Sequence, residues 1–358
     1  MLFIKTINKL FSFLPILITI FIFSIPGPIS AQCYLELSGI DTLIDKAVAL
    51  VHNEQYFEAI NICEDIIKDN PENPMGYLGQ AVIYHGIMRN YWINLYENEF
   101  DSLLSISISK GKAAIKKYKN DAECYFMYGA ALGFRGLHRI RKGNWFGAFT
   151  DGINGYKNLK KAYNMNKELY DAYYGLGLFY YWKSSKAKVL TFLRLMKDER
   201  EKGIEFIKIA IKKGRFASLE GQFALLEIYY YEGRFDEAYY ECLTLKENFS
   251  NDPTWLYITA KVLQNQEEWE PSQRYFQILL EKLQKSPFPK SMGFLTACHY
   301  GLAKCAYFMG ENERALAETE IALELSRKRD KDKEIDGPLL DFNPIIERLK
   351  KLNKKLLQ

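Results

Sequence analysis

An all-α solenoid is the fold class this sequence predicts, and three observations predict it. A helix–turn–helix frame recurs along most of the chain, with small residues at equivalent places in successive units. With 48% hydrophobic residues and only 11 Pro and 23 Gly in 358, the composition argues for an ordered, packed chain. Beyond residue 31 no apolar run resembles a transmembrane segment.

The first element reads as an export signal. Lys5 and Lys9 precede an uncharged apolar run, Leu10 to Ile25, which Pro26, Gly27 and Pro28 break. Ile29-Ser30-Ala31 supplies the small residue that a signal peptidase needs, so cleavage is expected after Ala31. The run of about sixteen residues is short of the roughly 20 that span a bilayer, which disfavours an uncleaved anchor. Gln32 stands where a lipoprotein signal wants Gly, Ala or Ser, so a lipid anchor on Cys33 is not expected. Residues 32–39 form a short N-terminal segment. The remaining length exceeds one compact core and points to two domains or an elongated repeat.

Six cysteines follow the signal: Cys33, Cys63, Cys124, Cys242, Cys298 and Cys305. None forms a CxxC pair. Cys298 and Cys305 lie about 10 Å apart along one predicted helix, too far to bridge. Most should be small buried hydrophobes rather than staples.

The repeat is plainest in LEGQFALLEIYYYEGRFDEAYYECLTLKENFS, Leu219 to Ser250. A first helix presents Leu225, Leu226 and Tyr229. A Gly233-Arg234-Phe235 turn follows, and Asp236-Glu237-Ala238 opens a second helix with the acidic residues a helix N-terminus favours. The frame recurs at Tyr56 and Ala59, with a stop at Asp69-Asn70-Pro71, and again at Trp269 with Ser272 and Asn312 with Ala315. Three central units are longer: Tyr84 and Ala114, Leu132 and Ala162, and Tyr180 and Ala210 are each thirty residues apart.

This pattern resembles the tetratricopeptide repeat, a helical hairpin of 34 residues in which the corresponding spacing is sixteen. The resemblance implies a right-handed superhelical solenoid of about seven hairpins over residues 40–327. The extended repeats, at 74–215, have a period of about 48. Their fourteen extra residues each are expected in longer helices or short added ones, such as Val189 to Met196. Residues 328–342 read as a linker. An amphipathic helix at 343–358, with Ile345, Ile346, Leu349, Leu352 and Leu356, reads as the cap on the last repeat.

No constellation for catalysis, metal or cofactor binding is recognisable. His52, His85, His138 and His299 fall in different units, without paired-Cys or HExxH spacing. Gly175-Leu176-Gly177 lies inside a predicted helix, where small residues admit a neighbouring helix. No enzyme and no cofactor are expected.

Charge is unevenly placed. The net formal charge is +4, yet Lys and Arg outnumber Asp and Glu 24 to 9 between residues 110 and 215. The densest part, RGLHRIRKGNW, carries Arg135, Arg139, Arg141 and Lys142, and Lys183, Lys186 and Lys188 follow. In an exported chain this suits an anionic membrane surface, an acidic polymer or an acidic protein better than nucleic acid.

Arrays of this family bind partners along the face lined by the first helices of the hairpins. That resemblance implies a tyrosine-rich groove of Phe126, Tyr181, Phe223, Tyr230, Tyr257, Lys261, Tyr300, Lys304 and Tyr307. Tyrosine brings large apolar area with a polar tip. The function expected is an exported scaffold or adaptor holding a protein or peptide partner, in the periplasm or secreted. The alternative is a small-ligand-binding protein with a cavity at the long repeats, around Tyr173, Tyr174, Tyr181 and Trp182.

Overall fold

Fifteen helices succeed one another in the computed structural model, which describes residues 40–186, 197–250, 252–339 and 342–358. The chain divides into Met1–Gln32 and Cys33–Gln358. The expected signal and its cleavage point, residues 32–39, Lys188 and the expected helix Val189 to Met196 all lie outside the described residues.

The helices of the second unit pair as seven hairpins. They are α1 (Asp41–His52) with α2 (Tyr56–Asp69), α3 (Pro74–Tyr91) with α4 (Glu97–Lys117), and α5 (Ala122–Arg141) with α6 (Trp145–Met165). Next come α7 (Asp171–Lys186) with α8 (Arg200–Lys213), and α9 (Ala217–Glu232) with α10 (Phe235–Phe249). The last two are α11 (Pro253–Asn265) with α12 (Trp269–Lys285), and α13 (Met292–Phe308) with α14 (Asn312–Arg327). A final helix, α15 (Phe342–Leu356), packs on α14 and α13 with Ile345, Leu349 and Leu352 buried.

Local chemistry sets the helix ends. Asn73, Asp121, Asn144, Asp252 and Ser291 each accept a backbone N–H of the first turn they precede, and Pro74 and Pro253 open their helices, where a missing N–H costs nothing. The turn inside the hairpins repeats a left-handed residue. Gly143 (φ 71), Gly233 (φ 72) and Gly310 (φ 80) take it freely, whereas Glu54 (φ 58), Trp92 (φ 53) and Glu267 (φ 62) hold it with a side chain.

The long central units are partly explained. Helices α3 to α6 run 18 to 21 residues, whereas the helices of the first hairpin and of the last three run 12 to 17. Longer helices therefore take up the added residues of the second and third hairpins. In the fourth, α7 and α8 have 16 and 14 described residues, and residues 187–196 of that hairpin lie outside the described residues. Gly177 sits inside α7 where a Cβ would meet the Gly203 carbonyl oxygen of α8 at 2.7 Å. That is the close approach expected of the glycines there.

Hairpins far apart in sequence also meet. The Trp92 ring, 1% exposed, stacks on Phe294 of α13 at 4.1 Å and stands edge-on to Tyr257 of α11 at 5.0 Å. Asn90 of α3 donates to Asp252 at 2.7 Å, and Arg89 pairs with Glu220 of α9 at 2.7 Å. Glu54 pairs with Lys282 at 2.8 Å, and Arg215 with Asp41 and Asp45 at 2.5 and 2.6 Å. Residues 328–339 do more than link. The Asn94 N–H donates to the Lys333 carbonyl at 2.7 Å, and Ile335 donates to Trp92 at 3.2 Å. Glu334 accepts from Ser291 and from the Gly293 N–H at the start of α13, both at 2.7 Å. The first two hairpins thus lie against the inner helices of the last three.

Candidate functional site

An open groove through all nine expected residues is not what the structure has. Phe126, Tyr181, Phe223, Tyr257, Lys261 and Tyr300 are buried, and Tyr230, Lys304 and Tyr307 are half-buried. The reason is the contact across the array: Trp92 covers Tyr257 and the Arg89 guanidinium lies 5.0 Å over the Phe223 ring. Tyr181 is packed edge-on to Trp182 at 5.1 Å. A superhelix that meets itself has less inner surface to offer than an open one.

What remains accessible is a ledge of Tyr230 on α9, Lys304 on α13 and Arg348 on α15, with Lys261 of α11 and Tyr300 of α13 buried at its base. Tyr230 accepts from the Asn265 amide at 3.2 Å. The Lys261 ammonium donates to Gln264 at 3.0 Å and lies 6.0 Å from the Tyr300 ring. Lys304 sits over Trp269 at 5.2 Å, a cation–π contact. Burial, then the neighbouring Lys304 and Arg348, pull the Lys261 ammonium down to about 7. Burial, with Arg348 beside it, likewise lowers Lys304, against the pull of Cys305 and Glu267. The half-buried Lys304 and the exposed Arg348 thus stand near enough to the buried Lys261 to act on it, and among the described residues none of the three is in an ion pair. Lys261 and Lys304 were legible from their position on inner helices. Arg348 was not, because the amphipathic pattern of α15 announces only its apolar face.

A polar core lies between the first two hairpins and the fifth and sixth. Asn90 donates to Tyr56 at 2.9 Å and to Asp252 at 2.7 Å, and accepts from Thr254 at 2.9 Å. Burial raises the Asp252 carboxyl to about 6, although the Trp255 N–H, Arg89 and Asn90 favour its charged form. Burial also raises Glu227 to about 7, with Arg89 opposing and Glu220 adding to the rise.

The residues expected as a basic patch are largely paired. Arg135 and Arg139 both hold Asp151, at 2.8 and 2.7 Å, Lys142 holds Glu97, and Lys183 pairs with Glu199 at 2.8 Å. Arg141 donates to the His138 ring at 3.2 Å. Lys186 closes α7. The tyrosines expected to enclose a small ligand pack on their own neighbours: Tyr173 lies 5.0 Å from Phe206 and 5.1 Å from Tyr163. A recess of about 640 Å³ lies elsewhere, lined by Asp198, Arg200, Glu201, Glu232, Arg234 and Glu237. It is an ion-pair network rather than an apolar pocket.

The five described cysteines are buried, and no disulfide joins any two of them. His299 meets Glu318 at 2.6 Å. Among the described residues no group of three His, Cys, Asp or Glu is placed to hold a metal, and no helix is long and apolar enough to cross a membrane.

No family model matches the chain, and no curated protein matches it. Solved structures do. The APC/C hetero-tetramer Cut9-Hcn1 aligns at a TM-score of 0.54 and 15% identity, over 91% of this chain and 57% of that one. YrrB, described as a TPR protein with an unusual peptide-binding site, aligns at 0.41 and 16% identity, over 60% of this chain and 91% of its own. A TPR protein of Thermus thermophilus aligns at 0.41 and 19% identity, over 62% and 98%.

Proposed function

The chain has the fold of the tetratricopeptide-repeat proteins, and from that premise we propose that it is an exported scaffold holding a protein partner by an acidic, extended segment. The observation that carries this reading is the ledge. Lys304 and Arg348 stand beside Tyr230 without ion pairs among the described residues, over a base that holds Lys261 and the Tyr300 ring. Like charges that depress one another gain most when a carboxylate arrives between them. The tyrosine rings supply apolar contact, and their hydroxyls supply hydrogen bonds. Export rests on the basic start, apolar run and small residues of 1–31, and places the partner in the periplasm or outside the cell. No catalytic role is assigned to any residue.

The test is capture from native envelope extract by the protein and by a Lys304→Glu/Arg348→Glu variant, at low and at 0.5 M salt. Capture of a specific protein by the unmodified chain, weakened about tenfold or more by charge reversal and by salt, supports the ledge. Equal capture by both forms removes it as the site.

A further inference from the structure

The turn between α5 and α6 carries a surface that the ledge does not account for. Trp145, Phe146 and Phe149 are 68%, 84% and 69% exposed, and Leu137 and Ile140 beside them are 47% and 44% exposed. Trp145 and Phe149 are four residues apart and share a helix face. Leu137 and Ile140 come level with them on the facing helix, because Gly136 of α5 abuts the Ala148 carbonyl of α6. The rings are held outward by a well-built turn. Gly143 takes a left-handed φ of 71, Asn144 accepts from the Gly147 N–H at 2.9 Å, and Arg139 donates to the Gly147 carbonyl at 3.2 Å. Elsewhere among the described residues the exposed large apolar residues stand singly or, as with Tyr240 and Leu243 of α10, as a pair, and these need no explanation, whereas a cluster rimmed by charge does.

We propose that this turn is a wedge that enters the interface of an anionic lipid membrane. Three features select lipid over a protein partner. The surface projects from a turn, so it needs a deformable medium and not a pocket shaped in advance. Trp and Phe are the side chains that settle at the boundary between headgroups and acyl chains. The charge around them is layered: the carboxylates of Asp151 and Glu97 lie inward, 3% and 17% exposed, while Arg139 and Lys142 lie outside them at 31% and 52%. Arg141 is exposed as well, and between Arg135 and Thr150 there is no acidic residue. Asp101, near His138, is the exposed exception. A headgroup phosphate therefore meets cations first, although pairing leaves most of the attraction to the rings. The wedge is independent of the ledge and stands or falls separately from it.

The experiment is quenching of tryptophan fluorescence in the full chain by vesicles of phosphatidylcholine and phosphatidylglycerol with brominated acyl chains. Trp145→Phe serves as the reference that removes one emitter. Insertion predicts that the unmodified chain loses more emission than Trp145→Phe does. Phe146→Ser/Phe149→Ser should abolish that difference with the helical circular dichroism unchanged. Arg141→Glu/Lys142→Glu should reduce it with anionic vesicles. Equal quenching in the unmodified chain and Trp145→Phe, on vesicles that both forms bind or on vesicles that neither binds, overturns the proposal. An effect as large on pure phosphatidylcholine overturns its anionic part.

Discussion

Trp92 occupies the left-handed region at φ 53, where a Cβ crowds the neighbouring carbonyl at a cost of roughly 1–2 kcal/mol. The strained turn aims the indole at Phe294 and Tyr257, and Gly337 makes room for it, since a Cβ there would stand 2.1 Å from the ring. No periodicity in the sequence marks Trp92, because its partners are more than 160 positions away. Glu227 is a second residue whose behaviour depends on the assembled fold. Its carboxyl is raised to about 7, first by burial. A raised acid favours folding in its protonated form, so its contribution is present below about pH 4.5, its unfolded value, and is lost as pH rises through about 7. Glu227→Gln should therefore be more stable than the unmodified chain at pH 8, by on the order of 2 kcal/mol, and close to it at pH 4.5. Urea midpoints at the two pH values check this, and an equal difference at both would refute burial of the carboxylate as the cause.

At the scale of the element, hairpin boundaries were readable because caps and turns are local. Asn before Pro, Asp two or three residues before a helical N–H, and Gly after the last turn need no distant partner. The helix α15 was readable for the same reason: its apolar stripe recurs at helical spacing, and a stripe must be covered. Leu349 at its centre is 0% exposed. Leu349→Ala should cost about 3 kcal/mol, seen as a lower urea midpoint with unchanged slope, and a loss below about 1 kcal/mol would mean that the cap is dispensable. The residues between α14 and α15 were less legible. Their mixed polar composition reads as a tether, and only Glu334 at the start of α13 and Lys333 against Asn94 reveal a fixed path.

For the repeat array of Cys33–Gln358, contacts between early and late hairpins change the expected energetics. An open array is stabilised by neighbour interfaces alone and can unfold from its ends. In this chain Trp92, Asn90, Arg89 and Glu54 add contacts across the array. The unmodified chain should unfold in a single transition, with amides of α3 and α13 exchanging at the same free energy. Trp92→Ala should lower stability by about 3–5 kcal/mol and let the first two hairpins exchange ahead of the rest. If hydrogen exchange in the unmodified chain already proceeds hairpin by hairpin, the cross-contacts contribute little.

The sequence by itself determined the class of element, the hairpin frame, the turn positions and the terminal cap, since these follow from spacing, small residues and local hydrogen bonding. It also located the inner helices on which Tyr230, Lys261, Tyr300 and Lys304 lie. Tertiary structure alone decided which inner residues stay accessible, because burial of Phe223 and Tyr257 depends on α3 and Trp92 arriving from the far end of the array. It likewise decided that the charge of Arg135, Arg139 and Lys142 is largely answered by Asp151 and Glu97, and that Trp145, Phe146 and Phe149 point outward. A one-dimensional pattern specifies which face of a helix is apolar; what comes to lie against that face is set by packing in three dimensions.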